Sequence, residues 1–199
     1  FVRECHGDLH LGNIARVDGR IAVFDGIDFN DHLRWIDVAS EIAFTAMDLE
    51  DRGRRDLAFR FVDAYLSITG DYAGLALLSF YVVYRALVRA KVAALRSSQV
   101  SDARERAALE RRVRGYLALA ARHAASGRPA IVVTHGLSGS GKTTRSQAFL
   151  EQVGAVRLRT DVERKRLAGL AAAERSGSAV GGGLYGVEAT RATYARVCE

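Results

Sequence analysis

The sequence predicts an α/β protein in two parts: a mostly helical portion over residues 1–125, then, from residue 130, the first βαβα units of a parallel sheet. Three observations carry that expectation. From Trp35 to about Ala125 apolar residues recur at three- and four-residue spacing, without proline and with few glycines, which is the helical period. Residues 130–134 (Ala, Ile, Val, Val, Thr) form a continuous apolar run, as in a parallel strand covered on both faces. A glycine-rich loop and a helical stretch follow it, then a second apolar run at 155–158 and another helix, and such alternation builds βαβ units.

Taken in order, residues 1–35 are short apolar runs broken by Gly, Asp and Asn, a strand–loop–strand pattern. Ile14, Ala15, Arg16 and Val17, the pair Asp18 and Gly19, and residues 20–24 read as a β-hairpin, because Asp-Gly suits a tight primed turn. Helices are expected near 36–49, 52–68, 72–96 and 102–125, with breaks at Gly70 and Asp71 and at Ser97 and Ser98. Ser126, Gly127, Arg128 and Pro129 are the one composition break containing proline, so the domains divide there into 1–125 and 130–199. The glycine run 181–183 reads as a flexible loop.

Nearly half of the 199 residues are hydrophobic and a quarter are charged, which is globular composition. The net charge of +6 comes almost wholly from arginine, since the lysines are Lys91, Lys142 and Lys165 alone. These cations alternate with acids along amphipathic stretches such as DARERAALERRVR, so they read as a salt-bridged surface rather than a nucleic-acid footprint. Cys5 and Cys198 lie at opposite ends, outside any CxxC pair, which argues against zinc or a disulfide framework and for a reducing, cytoplasmic setting. The most apolar stretch, residues 73–95, carries Arg85, Arg89 and Lys91, so a buried helix is expected there and not a membrane span. The chain opens on Phe1 and stops at Glu199 inside a helix-like pattern, so it is read as a piece of a longer protein.

Residues 136–143 (Gly136, Leu137, Ser138, Gly139, Ser140, Gly141, Lys142, Thr143), followed by Thr144, fit G-x-x-x-x-G-K-[ST] between an apolar run and a helix. Glycines let such a loop turn tightly so that backbone N–H groups surround phosphate oxygens, and the helix adds the positive end of its dipole. Lys142 is the candidate for the β- and γ-phosphates of ATP, and the Thr143 hydroxyl for Mg²⁺. After the second apolar run comes Asp161, with Arg164 three residues on. A carboxylate at that edge of a parallel sheet faces the ligand crevice, where it could take a hydroxyl proton while Arg164 steadies transferring phosphate. The alternative is a helix N-cap aspartate with a surface arginine.

Residues 6–13 read HGDLHLGN. Asp8 and Asn13 sit on a loop between short strands, and Asp25 ends the next strand. Two such oxygens near a third acid can hold Mg²⁺, and a carboxylate left free can orient a hydroxyl nucleophile. The hard oxygens around His6 and His10 argue against a transition-metal site.

GLSGSGKTT followed by RLRTDVERKRLAGL resembles the P-loop kinases that phosphorylate hydroxyls, among them polynucleotide kinase, gluconate kinase and chloramphenicol phosphotransferase. That resemblance implies a catalytic base at Asp161 and a phosphate-binding arginine at Arg164. HGDLHLGN resembles the catalytic loop of the aminoglycoside phosphotransferase and choline kinase superfamily, which is related to protein kinases. It implies a protein-kinase-like C-lobe over 1–125, with Asp8 as base, Asn13 and Asp25 as Mg²⁺ ligands, and Asp37 bracing the loop. Asp28 competes for the metal role by its local sequence, whereas spacing to Asp37 favours Asp25. The first lobe of such a kinase and the later strands of the P-loop sheet fall outside these residues, so the 199-residue chain is expected not to turn over ATP by itself. The implied function is ATP-dependent phosphotransfer to a small-molecule hydroxyl, with a second ATP-binding module. The alternatives are a nucleotide-binding regulator and a nucleic-acid end kinase. Acceptor and oligomeric state do not follow from the motifs.

Overall fold

A computed structural model describes residues 1–125, 130–137, 139–174, 177–178 and 183–198. The expected boundary at 126–129, Ser138 of the glycine-rich loop, and Gly181 and Gly182 lie outside the described residues.

The chain begins with β1 (Val2–Glu4), passes through a loop and a 3-10 turn at Leu11–Asn13, and forms the hairpin β2 (Ile14–Val17) and β3 (Arg20–Val23). The hairpin register pairs Ile14 with Val23 and Val17 with Arg20. Asp18 and Gly19 at its tip have φ of 49° and 78°, the two left-handed residues that a primed turn requires. A short helix α1 (Asp31–Arg34) precedes β4 (Trp35–Asp37), which runs antiparallel to β1 with Val2 opposite Asp37. The helical pattern was expected to start here; instead the three residues from Trp35 pair with the chain start, a long-range partner with no local signature.

Four helices then build the body: α2 (Val38–Asp51), α3 (Arg55–Thr69), α4 (Leu75–Gln99) and α5 (Ala103–Ala124). They match the expected four to within a few residues. Asp37 caps α2 by accepting from Ala39 N at 2.8 Å, and Asp102 caps α5 by accepting from Glu105 N at 2.7 Å. Helix α2 is the hub. Ala43, Phe44 and Met47 pack with Val82, Ala86 and Ala90 of α4 and with Tyr116, Leu119 and Ala120 of α5. On its other side Ala46 meets Ala58, Val62 and Leu66 of α3. By length and composition residues Tyr72–Gln99 could cross a membrane. The expectation of a buried helix there holds for one face only. Val82, Arg85, Ala86, Ala90 and Ala93 are buried, while Phe80, Tyr84, Leu87 and Leu95 are exposed.

The last third holds α6 (Lys142–Val153), α7 (Thr160–Leu167) and α8 (Val187–Cys198). Here the structure corrects the sequence reading. Residues 130–134 and 155–158 form no strand, and the sheets among the described residues are the two antiparallel pairs. A parallel strand is stabilised by neighbours on both edges and helices on both faces. Ile131 and Val133 are 93% and 84% exposed, so the apolar run has neither. The helices α6 and α7 pack on α3 instead: the Phe59 ring lies against Gly154, the left-handed C-cap of α6, and the Arg166 guanidinium of α7 donates to the Ser67 carbonyl at 2.7 Å.

Candidate functional site

The HGDLHLGN loop leaves β1 and is held from beneath by side chains of α2 and α4. Gly7 has φ of 82°, and a Cβ there would fall 2.7 Å from the Leu33 carbonyl, so only glycine fits. Its N–H donates to Glu41 Oε2 at 3.1 Å, and its carbonyl accepts from the Arg85 guanidinium at 3.0 Å. The Thr45 hydroxyl donates to the Leu9 carbonyl at 2.7 Å, and Leu11 N–H donates to Asp48 Oδ2 at 2.9 Å. Glu41, Thr45 and Asp48 are spaced four and three apart, so they share one face of α2. All three are buried, and Arg85 is only 8% exposed.

Asp8 is left at the rim of this clamp. The Asn13 amide donates to the Asp8 carbonyl at 3.0 Å and to its carboxylate at 3.2 Å, which leaves the amide oxygen of buried Asn13 as the atom for a cation. His10 Nδ1 accepts from Gly12 N–H at 2.9 Å, so Nε2 carries the proton toward Asp8 Oδ2, 3.5 Å away. Burial, and next Arg89, hold His10 below the ordinary histidine range, which favours this neutral form. His6 works the same way: Nδ1 accepts from Asp8 N–H at 3.3 Å, so Nε2 donates to the Phe24 carbonyl at 2.8 Å. His6 is thus hydrogen-bonded through both nitrogens, whereas His10 is bonded through Nδ1 and only turns Nε2 toward Asp8. Among the described residues no group of three His, Cys, Asp or Glu side chains could hold a metal ion.

Asp25 follows β3. The residue before it, Phe24, bonds the loop twice: its N–H donates to the Asn13 carbonyl at 3.0 Å and its carbonyl meets His6. Asp25 therefore starts one residue beyond the seam between loop and hairpin, is exposed, and has φ of 62°. Among the described residues Asp18 and Asp25 are the non-glycine residues with positive φ. The turn explains Asp18; Asp25 has no such turn, and strain of this kind concentrates at sites of function. Asp28 is exposed on the following loop. Asp37, expected to brace the HGDLHLGN loop, instead caps α2 and accepts from the Tyr81 hydroxyl at 3.4 Å. The brace is Glu41, Thr45, Asp48 and Arg85, which the sequence reading missed. Their signal was present, as three polar residues at helical spacing inside the most apolar face of α2.

The second constellation is the glycine-rich loop. Gly136, Gly139 and Gly141 have φ of 148°, 77° and 80°, values that L side chains avoid. Lys142 opens α6 and turns back: its ammonium donates to the Gly136 carbonyl at 2.6 Å and the Leu137 carbonyl at 2.5 Å, with Ser140 Oγ at 3.5 Å. The positive charge is thus centred in the turn that the glycines make. A phosphate oxygen is a stronger acceptor for it than either neutral carbonyl. The Thr143 carbonyl accepts from the Arg157 guanidinium at 3.1 Å. Thr144 lies beside it in the exposed first turn of α6.

Asp161 lies in the first turn of α7 but does not cap it; the cap position is Arg159. Its carboxylate accepts from the Tyr185 hydroxyl at 3.3 Å and pairs with Lys165 at 3.4 Å. The Arg164 guanidinium lies 5.0 Å over the Tyr185 ring. Asp161 and Arg164, expected to act together, therefore converge on one tyrosine.

Residues 131–198 match the family model described as AAA domain. The match spans the glycine-rich loop and helices α6, α7 and α8 after it, and it supports a P-loop, nucleotide-binding, kinase-like module there. The chain is 38% identical over 162 residues to a protein from Mycobacterium tuberculosis and to one from Mycobacterium bovis, both described as uncharacterized. The alignment takes in 81% of this chain and 32% of each relative, so the chain spans about a third of their length. No solved structure matches the chain.

Proposed function

We propose that the protein is an ATP-dependent phosphotransferase acting on a small-molecule hydroxyl, with two ATP-linked loops. The observation that carries the nucleotide part is the GLSGSGKT loop, its lysine folded into a left-handed glycine turn at the start of α6, inside the AAA-domain match. Lys142 and the loop amides hold the phosphates, and the Thr143 hydroxyl is the oxygen offered to Mg²⁺.

The first loop is read as a kinase-like catalytic loop. Its support is the pairing of Asp8 with Asn13 and the rigid clamp beneath them. Asp8 orients the acceptor hydroxyl and takes its proton, with His10 Nε2 facing its carboxylate at 3.5 Å. Asn13 Oδ1 and the Asp25 carboxylate are hard oxygens that suit Mg²⁺. Bound there, the cation would neutralise charge on the nucleotide phosphates. In the second module Asp161 is the candidate base and Arg164 the phosphate partner.

One observation favours a second reading of the second module, in which it binds ATP and regulates without transfer. Asp161 already pairs with Lys165 and Tyr185, which makes it a poorer base. Two variants separate the roles. Lys142→Ala should abolish ATP binding by the P-loop in calorimetry. Asp8→Asn should leave that binding intact and lower phosphotransfer about 10²–10⁴-fold, the usual loss for a positioned base. Because the 199-residue chain is expected not to turn over ATP by itself, the assay is ATP consumption by the Asp8→Asn variant of a protein of the relatives' full length, against sugars, aminoglycosides, choline-like alcohols and nucleosides. Unchanged turnover in Asp8→Asn with every acceptor refutes the first-site assignment.

A further inference from the structure

The P-loop turn is not held by its own module alone. Asp63, in the middle of α3, is 4% exposed and grips a single residue of the other module at two places. Its Oδ2 accepts from the Arg157 guanidinium at 2.9 Å, and its Oδ1 accepts from the Arg157 backbone N–H at 3.3 Å. The same guanidinium reaches α6: it donates to the Thr143 carbonyl at 3.1 Å, to Ser146 Oγ at 3.4 Å and to Gln147 Oε1 at 2.8 Å. One arginine fork thus ties a buried carboxylate of the helical body to the first turn after Lys142. Only a planar guanidinium has donors enough to serve all these acceptors at once.

We infer that Asp63 is a positioning residue for nucleotide binding at the P-loop, so that the helical body completes the ATP site of the second module. The inference rests on reading that loop as an ATP site. The physical reason is orientation. The residue whose carbonyl Arg157 holds is Thr143, whose hydroxyl is the Mg²⁺-facing group, and the backbone N–H groups at the start of α6 belong to the same turn. Helix α6 has no sheet beneath it among the described residues, so its direction is set by its contact with α3. The Asp63–Arg157 pair lies where that contact meets the loop. Without its carboxylate partner, the guanidinium loses its fixed point and the first turn of α6 is free to rotate about the Phe59–Gly154 contact at its far end. Binding coupled in this way is reciprocal: nucleotide that orders the turn must also tighten α3.

The test is calorimetric titration of the full chain with MgATP, in wild type, Asp63→Asn, Asp63→Glu and Lys142→Ala, together with hydrogen exchange of the wild type with and without MgATP. Asp63→Asn should weaken binding about tenfold, within the usual span of such couplings, and Asp63→Glu should restore most of it. MgATP should raise protection of the α3 amides around Asp63 in the wild type, a readout that needs no variant to fold. Affinity of a folded Asp63→Asn within about twofold of wild type, or α3 protection indifferent to bound MgATP, overturns the inference. Those outcomes leave the ATP site standing. Equal affinity in Lys142→Ala and wild type, or no binding by wild type, removes the site itself and the inference with it.

Discussion

Arg85→Met tests whether α4 holds the HGDLHLGN loop in place. Methionine keeps an unbranched apolar stem and removes the guanidinium. That group donates to the Gly7 carbonyl at 3.0 Å and the Ser40 carbonyl at 3.3 Å, and lies 4.7 Å over the Phe44 ring. Hydrogen bonds from a charged donor contribute about 1.5–3 kcal/mol each, and a desolvated cation–π contact about 2 kcal/mol. The opposing effect is large as well. Taking a cation out of water costs several kcal/mol, and burial does hold the pKa of Arg85 below the ordinary arginine value. The variant is relieved of that cost. What decides the sign is the acceptor left behind: Gly7 is buried and its carbonyl loses its donor, whereas the Ser40 carbonyl keeps the i→i+4 bond of α2. A net loss of roughly 1–3 kcal/mol is expected, the penalty for one orphaned buried acceptor. Urea denaturation measures it, and hydrogen exchange locates it. Protection should fall over residues 6–13, at Gly7 and Leu11 first, because their acceptors Glu41 and Asp48 face the same clamp. Unchanged protection there, with stability lost only in α4 and α5, would refute the brace.

Three further outcomes follow from the same contacts. Thr45→Val keeps the shape of the side chain but leaves the Leu9 carbonyl without its 2.7 Å donor, so urea denaturation should show a loss of about 1–2 kcal/mol; no loss would mean that carbonyl is otherwise satisfied. Burial pushes Glu41 above the ordinary carboxylate range, eased by the Gly7 N–H and Arg85, so the folded state holds its proton more tightly than the unfolded state. Its contribution is therefore full at acid pH and fades as pH rises through the folded pKa; Glu41→Gln should gain on wild type in denaturation midpoint as pH rises above the ordinary glutamate value, and a constant difference would sink the argument. Gly154→Ala puts a Cβ 2.5 Å from the Phe59 ring at a φ of 76°, so α6 should lift from α3, with limited proteolysis cutting α6 faster than in wild type; equal cutting rates would show that the contact is not needed.

What the sequence disclosed depended on how local the cause was. The four body helices were legible because their period is written in neighbouring residues. So was the hairpin, whose turn needs only Asp18 and Gly19. The closeness of Asp8 and Asn13 was legible for the same reason, since five residues of loop cannot separate them far. The β1–β4 pair was not, because Trp35 and Glu4 carry no mark of each other. The strands expected at 130–134 and 155–158 failed in the opposite sense. An apolar run states that burial is available, whereas a strand needs partners, and the described residues supply none. The arginines were read as surface charge, which misplaced Arg85 and Arg157. Neither differs in sequence from its exposed neighbours; only the fold shows that one sits under a loop and the other between two modules.

The two loops are anchored by one device. Glu41 accepts from Gly7 N–H, Asp48 from Leu11 N–H, and Asp63 from Arg157 N–H. In each case a buried carboxylate on α2 or α3 captures a backbone amide of a segment that leads into a candidate site. Such carboxylates are costly to bury, and an apolar residue at each position would pack α2 and α3 as well or better. What an apolar residue cannot do is fix a loop in register. Dispersion contacts change little when a loop slides by about an ångström, whereas a charge-assisted hydrogen bond broken by the same slide leaves a buried anion without a donor. Phosphoryl transfer depends on position more than on any reactive group the protein supplies. Helices α2 and α3 thus trade packing stability for placement at both loops, and the trade makes sense only if what those loops hold must be placed accurately.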